Sequence, residues 1–172
     1  MKESGPLVLI VEDFEDAREM YTICLEHVGM RVCTASHAIE GLEVARSQKP
    51  DVILMDAGLP GMSGWDAVVV LKNDPATRDI PVLMFTGHVL QESERRSANA
   101  GADGFIPKPC LPDELEREIR AVLARPRGPR GPAETEKRLA HEAIAATKAR
   151  IAEGRLNRPV PLRKKAPPRK KP

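Results

Sequence analysis

The 172-residue sequence predicts an α/β fold, with one five-stranded parallel sheet and helices on both of its faces. Uninterrupted apolar runs at residues 7–11 and 52–55 are typical of strands that are buried on both sides. Segments with helical spacing separate such runs, and Gly or Pro marks the junctions. Strands and helices therefore alternate along the chain, and this alternation favours a doubly wound parallel sheet.

The predicted elements follow one another closely. The first helix begins near Glu15 or Asp16, with acids in its first turn, and ends at Gly29, a residue typical of helix ends. Pro50 stops the second helix, and Pro112 suits the first turn of the last one. The predicted strands are residues 7–11, 31–35, 52–55, 81–85 and 104–107; the predicted helices are about 15–28, 37–48, 64–72, 90–100 and 112 onward.

Apolar residues at helical spacing predict the buried faces of the first and last helices. The helix at 90–100 has a thin apolar face, so we expect it to be among the more mobile elements. The predicted inward residues are Ala17, Met20, Cys24, Leu25 and Val28 in the first helix, and Leu111, Leu115, Ile119 and Val122 in the last.

Charge divides the chain into an acidic body and a basic tail. Residues 1–124 contain 12 Lys/Arg and 21 Asp/Glu, a net charge of −9, whereas residues 125–172 contain 15 and 4, a net +11. We predict a folded domain at 1–124, a Pro/Gly/Arg linker at 125–132, a single helix at 133–154 and a disordered basic tail at 155–172. Such a tail suits contact with nucleic acid or docking onto an acidic partner, including the acidic body itself.

The cysteines and the apolar runs indicate where in the cell the protein is located. Cys24, Cys33 and Cys110 are odd in number and widely spaced, so we expect neither a disulfide framework nor a thiolate metal site. No apolar run reaches transmembrane length, and the first residues lack a signal-peptide pattern. We therefore expect a cytoplasmic protein without a transmembrane segment.

Polar side chains lie where the predicted strands end. In a sheet of this type, ligands bind beyond the carboxyl ends of the strands. Three carboxylates gathered there repel one another by about 4 kcal/mol per pair at about 4 Å, for an effective dielectric constant of about 20, so they require a cation. Oxygen ligands without His or thiolate favour Mg²⁺ or Mn²⁺. The residues at these ends are Glu12, Asp13, Asp56, Thr86 and Lys108.

A divalent cation beside an amine and a hydroxyl suits phosphoryl transfer onto an aspartate. The sequence shows no evident base for hydrolysing another substrate. We therefore expect no enzymatic activity beyond Mg²⁺-dependent self-phosphorylation and autodephosphorylation.

Four motifs in a fixed order give residues 1–124 a strong resemblance to the response-regulator receiver domain of two-component signalling. This resemblance implies a flavodoxin-like strand order of 2-1-3-4-5. The motifs are Val11-Glu12-Asp13, residues 55–64 (Met-Asp-Ala-Gly-Leu-Pro-Gly-Met-Ser-Gly), Phe85-Thr86-Gly87, and residues 101–109 (Gly-Ala-Asp-Gly-Phe-Ile-Pro-Lys-Pro).

The resemblance also implies roles for individual residues. Asp56 would be the phosphorylated residue. Asp13 and Asp56 would ligate the metal together with the backbone carbonyl of Gly58, and Glu12 would act through a metal-bound water. Gly58 is less typical of the family, because it has no side chain to reach the phosphate.

Four further residues receive roles in the same way. Thr86 and Lys108 would bind the phosphoryl oxygens. Thr86 and Phe105 would form the switch, in which the aromatic ring turns inward when the threonine moves toward the phosphate. The bond between Lys108 and Pro109 would be cis, which proline permits.

The function that we expect is a phosphorylation-dependent switch. It would accept its phosphoryl group from a histidine kinase or a histidine phosphotransfer protein. It would signal by protein contact with a target through the face formed by Leu90 to Leu123, and the chain could also form a homodimer. The alternative is a nucleic-acid-binding regulator that acts through the basic tail, although the tail has no Phe, Tyr or Trp on which bases could stack.

Overall fold

A computed structural model describes residues 5–87 and 100–125. It contains a five-stranded, fully parallel sheet with the strand order β2-β1-β3-β4-β5, which confirms the predicted fold class and order. The predicted helix at 90–100, apart from its last residue, and the tail segments beyond residue 125 lie outside these ranges. The strands are β1 Leu7–Val11, β2 Arg31–Ala35, β3 Val52–Asp56, β4 Val82–Thr86 and β5 Gly104–Pro107.

Two helices cover each face of the sheet within the described residues. Alternate side chains of the strands point to the two faces, so the sheet separates two apolar layers. The first layer contains α2 and α3, and the second contains α1 and α4. The helices are α1 Glu15–His27, α2 Ala38–Gln48, α3 Gly64–Asn73 and α4 Pro112–Leu123.

The element boundaries differ from the predictions by about one residue. β3 and β4 each extend one residue further, to Asp56 and Thr86, because these residues still pair with Phe85 and Pro107 of the neighbouring strands. α2 begins one residue later than predicted, because the His37 side chain accepts a hydrogen bond from the Glu40 amide and caps the helix. Asp56 and Thr86 are therefore the last residues of buried strands.

Two residues predicted to point inward are instead exposed. Met20 is 48% exposed, because the buried stripe of α1 runs through Tyr21 and Leu25. The Tyr21 ring packs edge-on against Phe85, with 4.7 Å between the ring centroids. Leu111 is 67% exposed, because it precedes α4 as its N-cap and does not lie on the helical stripe. The other predicted inward residues of α4 are confirmed as buried: Leu115, Ile119 and Val122.

A buried lysine fastens the amino ends of β4 and β5. The Lys72 ammonium donates to the carbonyl of Ile80 (2.8 Å) and to Oδ2 of Asp103 (2.7 Å). The same Asp103 oxygen accepts a hydrogen bond from the backbone N–H of Val82 (2.9 Å). One ion pair thus joins α3 to both strands at the edge opposite the predicted site.

Two remaining expectations concern the thiols and the membrane. The three cysteines are free and partly buried. Within the ranges 5–87 and 100–125, no helix is both long enough and apolar enough to cross a membrane.

Candidate functional site

Three carboxylates meet at the carboxyl ends of the neighbouring strands β1 and β3. Glu12 and Asp13 follow β1 directly, and Asp56 ends β3. Each side chain offers one oxygen, and these oxygens lie within 4.8 Å of one another. Glu12 is buried, Asp56 is 9% exposed and Asp13 is exposed, so the cluster opens to solvent on one side. The convergence predicted from the strand ends is present.

The first of these acids is held by the backbone around it. Oε1 of Glu12 accepts from the Phe14 amide (3.3 Å), and the Glu12 amide donates to the carbonyl of Ala35 on β2 (3.1 Å). The Arg18 guanidinium donates to the carbonyls of Glu12 (2.8 Å) and Asp13 (3.5 Å). The junction of β1 and α1 is therefore fixed from both sides, and it presents its two carboxylates to the strand ends.

Lys108 brings the compensating positive charge. Its ammonium pairs with Oε2 of Glu12 and lies 3.4 Å from Oδ1 of Asp56. It also lies 4.9 Å from the centroid of the Phe85 ring, which is within the range of a cation–π contact. The Lys108 amide donates to the carbonyl of Thr86 (2.9 Å), and this bond ties the end of β5 to the end of β4.

The loop after β3 approaches Asp56 closely at one point. A Cβ atom on Gly64 would lie 1.9 Å from the carbonyl oxygen of Asp56, a distance that no side chain can occupy. The Gly64 amide donates to the carbonyl of Ala57 (3.3 Å), so the loop folds back onto the strand end. A Cβ atom on Gly58 would lie 3.6 Å from Oδ2 of Asp56, an ordinary contact, so Gly58 lies beside the Asp56 carboxylate. The metal-binding role of its carbonyl stays a prediction.

The predicted switch residues lie on adjacent strands. Thr86 is buried at the end of β4, at the same edge as the carboxylates. Phe105 lies on β5 in register with Met84, is half-buried, and packs against the layer that contains α2 and α3. Their roles as a switch remain predictions. The bond between Lys108 and Pro109 is cis, as the resemblance implies.

Sequence reasoning missed two residues that support the site, Arg18 and Tyr21. An arginine near the first turn of a helix faces the positive end of the helix dipole, and this unfavourable placement was an available signal. Tyr21 gives no such signal, because its contact with Phe85 joins distant parts of the chain. Burial raises the pKa of the Tyr21 phenol, and the nearby Glu12 carboxylate raises this pKa further.

The comparisons with known proteins agree with this geometry. The model of the response regulator receiver domain matches residues 8–120, which include every predicted site residue. The chain belongs to the response regulator receiver family.

Curated relatives of two lengths match the chain. The phosphate regulon transcriptional regulatory protein PhoB of Pseudomonas aeruginosa is 38% identical over 121 residues, which cover 70% of this chain and 53% of PhoB. The chain thus spans about half the length of the PhoB relatives that it matches. Protein PilH of the same species is 35% identical over 117 residues, which cover 68% of this chain and 97% of PilH.

Among solved structures, the receiver domain of the sensor histidine kinase PA1611 from Pseudomonas aeruginosa is similar in fold. It aligns with a TM-score of 0.66 and 27% identity, and the alignment covers 71% of this chain and 100% of that domain. That structure has a magnesium ion coordinated in its active-site cleft. In the present chain, three carboxylates with oxygens within 4.8 Å of one another form a donor set that suits a hard cation such as Mg²⁺.

Proposed function

We propose that this receiver domain is a phosphorylation switch whose Asp56 accepts a phosphoryl group from a histidine kinase or a histidine phosphotransfer protein. The principal support is the position of the Asp56 carboxylate. It ends a buried strand, is 9% exposed, and lies 3.4 Å from the Lys108 ammonium. Two further carboxylates surround it, which suits a bound divalent cation.

The chemistry follows from these groups. A carboxylate oxygen of Asp56 attacks the phosphorus atom, and an O–P bond forms as the bond to the nitrogen of the donor imidazole breaks. The electron pair stays with that nitrogen, and because the other ring nitrogen of the donor carries a proton, the leaving group is a neutral imidazole. The Lys108 ammonium neutralises charge on the transferred oxygens, and the Thr86 hydroxyl donates to one of them.

The metal that best fits the site is Mg²⁺, with Mn²⁺ as a second candidate. Asp13, Asp56 and the carbonyl of Gly58 would hold it, and Glu12 would assist through water. When bound, the cation withdraws charge from the phosphoryl oxygens. Lys108 pairs with the buried Glu12 carboxylate, so this carboxylate has a positive charge beside it in addition to the charge of the metal.

The output of the switch would begin at Thr86. A phosphoryl group on Asp56 attracts the Thr86 hydroxyl, and the space that this movement frees admits the half-buried ring of Phe105. The change would alter the face formed by Leu90 to Leu123, through which the chain binds a protein target. The domain would catalyse only its own phosphorylation and dephosphorylation.

Acetyl phosphate with Mg²⁺ tests the acceptor assignment. Intact-mass measurement of the wild-type chain should show one added phosphoryl group, and chelation of the metal with EDTA should prevent it. Asp56→Asn should abolish the adduct, because an amide is a poor nucleophile. Asp79→Asn is the matched control at an exposed acid away from the strand ends, and it should keep the adduct. A wild-type chain that never gains phosphate, or an adduct that survives Asp56→Asn, contradicts the assignment.

A further inference from the structure

The outward face of α1 combines apolar and acidic side chains. Met20 and Ile23 are 48% and 61% exposed on this helix, and the preceding Phe14 is also exposed. Four carboxylates lie around them, and none forms an ion pair with any residue in the described ranges. These acids are Glu15, Asp16, Glu19 and Glu26, all exposed.

Some exposed acids elsewhere in the described structure do have partners of opposite charge. Glu116 pairs with Arg120 on α4 at 2.7 Å, and Asp74 pairs with Arg46 at 2.6 Å. The single arginine of α1, Arg18, donates instead to backbone carbonyls at the strand end. The carboxylates of α1 are therefore available to a cationic partner, and the apolar side chains between them offer area to bury.

The chain leaves the described fold next to this helix. Arg120 of α4 donates to the carbonyl of Val28, at the end of α1 (3.4 Å). Arg125, the last described residue, donates to the carbonyl of Asp103 (2.7 Å). α1 has 13 residues and is about 20 Å long, whereas residues 126–154 would span roughly 30 Å even as a flexible coil. Everything beyond residue 154 can therefore reach any part of α1.

The last segment of the chain has the complementary chemistry. Residues 155–172 contain eight Lys/Arg and no Asp/Glu, a net charge of +8. Val160 and Leu162 are the apolar residues nearest to its basic run at 163–171. A tether of this kind gives an effective concentration in the millimolar range, so even a weak interaction would be populated.

We propose that the basic segment 155–172 docks onto the outward face of α1 in the same molecule. Its cations would pair with the α1 carboxylates, and Val160 and Leu162 would cover Met20 and Ile23. Because α1 begins beside Asp13, this docking would cover the helix that flanks the phosphoacceptor edge. The contact should weaken with salt, since the Debye length falls from about 10 Å at 0.1 M to about 3 Å at 1 M.

Zero-length carbodiimide crosslinking of the full-length chain tests the proposal, because it joins lysine amines to carboxylates that touch them. We expect crosslinks from the lysines of this segment to the acids of α1, and their loss in 1 M NaCl. The lysines are Lys164, Lys165, Lys170 and Lys171, and the acids are Glu15, Asp16, Glu19 and Glu26. Mixing heavy-isotope and normal protein shows whether each crosslink lies within one molecule. Crosslinks only between different molecules would identify a second copy as the occupant and overturn the proposal.

A pair of charge-reversal variants supplies the control. Glu19→Lys with Glu26→Lys should remove the crosslinks to the remaining acids Glu15 and Asp16. Glu43→Lys with Asp79→Lys changes the net charge equally at exposed acids away from α1, and it should leave the α1 crosslinks intact. Equal crosslinking of Glu43 and the α1 acids in the wild type would show a merely solvated tail and would overturn the proposal.

A second measurement needs no substitution. Backbone amide resonances of α1 in the wild-type chain should shift between low and high salt, while those of α2 should not. If α1 does not respond and double-stranded DNA binds the chain at low salt, nucleic acid is the partner of the tail and the docking proposal fails.

Discussion

At the scale of single residues, the site depends on how close the backbone comes to Asp56. Gly64 has no Cβ, so the loop after β3 can contact the carbonyl of Asp56. This contact determines where the loop runs and where Gly58 lies relative to the carboxylate. A residue without a side chain therefore contributes to the geometry of the site.

The two glycines of this loop should respond differently to alanine. Gly64→Ala places a methyl group 1.9 Å from the Asp56 carbonyl, so the backbone must move. We expect a loss of about 1–3 kcal/mol in the free energy of unfolding, together with slower phosphorylation. Gly58→Ala places its methyl group 3.6 Å from Oδ2 of Asp56 and should change stability little. Urea unfolding of both variants measures the difference, and equal losses would contradict the proposed role of Gly64.

At the scale of elements, single polar contacts fix the junctions between strands and helices. Lys72 ties α3 to β4 and β5 at the amino ends of the strands, and Lys108 ties β5 to β1 and β3 at the carboxyl ends. Both lysines neutralise acids in which burial makes an unpaired negative charge costly in free energy. Ion pairs thus connect the elements at both ends of the sheet, whereas its centre is apolar.

The buried and exposed ion pairs should differ in strength. Lys72→Met removes a cation that is only 6% exposed and leaves the Asp103 carboxylate unpaired, so we expect a loss of about 3–5 kcal/mol in unfolding free energy. Arg46→Met breaks a pair with Asp74 in which the guanidinium is 48% exposed, and it should cost at most about 1 kcal/mol. Denaturant midpoints of the two variants provide the comparison. Similar midpoints would mean that Lys72 is not needed to join the elements.

Glu40 should make stability depend on pH at the start of α2. The Ser36 amide donates to its carboxylate at 2.7 Å, and this hydrogen bond lowers the pKa of Glu40 below its ordinary value. The lowered pKa means that the ionised Glu40 side chain contributes to the free energy of unfolding. This contribution is complete above the ordinary glutamate pKa of about 4.3. It is lost as the pH falls through the lower pKa of the folded state.

Glu40→Gln tests this dependence. The wild type should be the more stable protein by a constant margin above about pH 5, and the margin should shrink as the pH falls below about 4. Thermal unfolding of both proteins between about pH 3 and pH 7 measures it. A margin that grows toward low pH would have the wrong sign for this explanation.

At the scale of the whole molecule, the parallel sheet delivers side chains from four strands to one edge. Glu12 and Asp13 arrive from β1, Asp56 from β3, Thr86 from β4 and Lys108 from β5. The order β2-β1-β3-β4-β5 makes these four strands consecutive, so residues separated by up to 96 positions in the chain come into contact. Ligand binding at this edge should therefore stabilise the entire domain.

Mg²⁺ should stabilise the folded protein by mass action. At a concentration about 100 times the dissociation constant, the gain in unfolding free energy is about 2.7 kcal/mol. Melting temperature in MgCl₂ against KCl of equal ionic strength measures this gain, and the fluorescence of Trp65, next to Gly64, gives an independent titration. Asp13→Asn should reduce the stabilisation, whereas Glu43→Gln should not. A stabilisation that is unchanged by Asp13→Asn would place the ion elsewhere.

The sequence by itself determined the fold class, the strand positions and the set of residues at the acidic edge. Apolar runs and helical spacing are local signals, and a parallel sheet of this type places the strand ends together. The tertiary structure decided which face of α1 is buried: Tyr21 lies on the buried face, and Met20 is exposed. It also decided the pairs of Lys72 with Asp103 and of Lys108 with Glu12. These contacts join residues far apart in the chain, and they depend on packing distances that no periodicity in the sequence encodes.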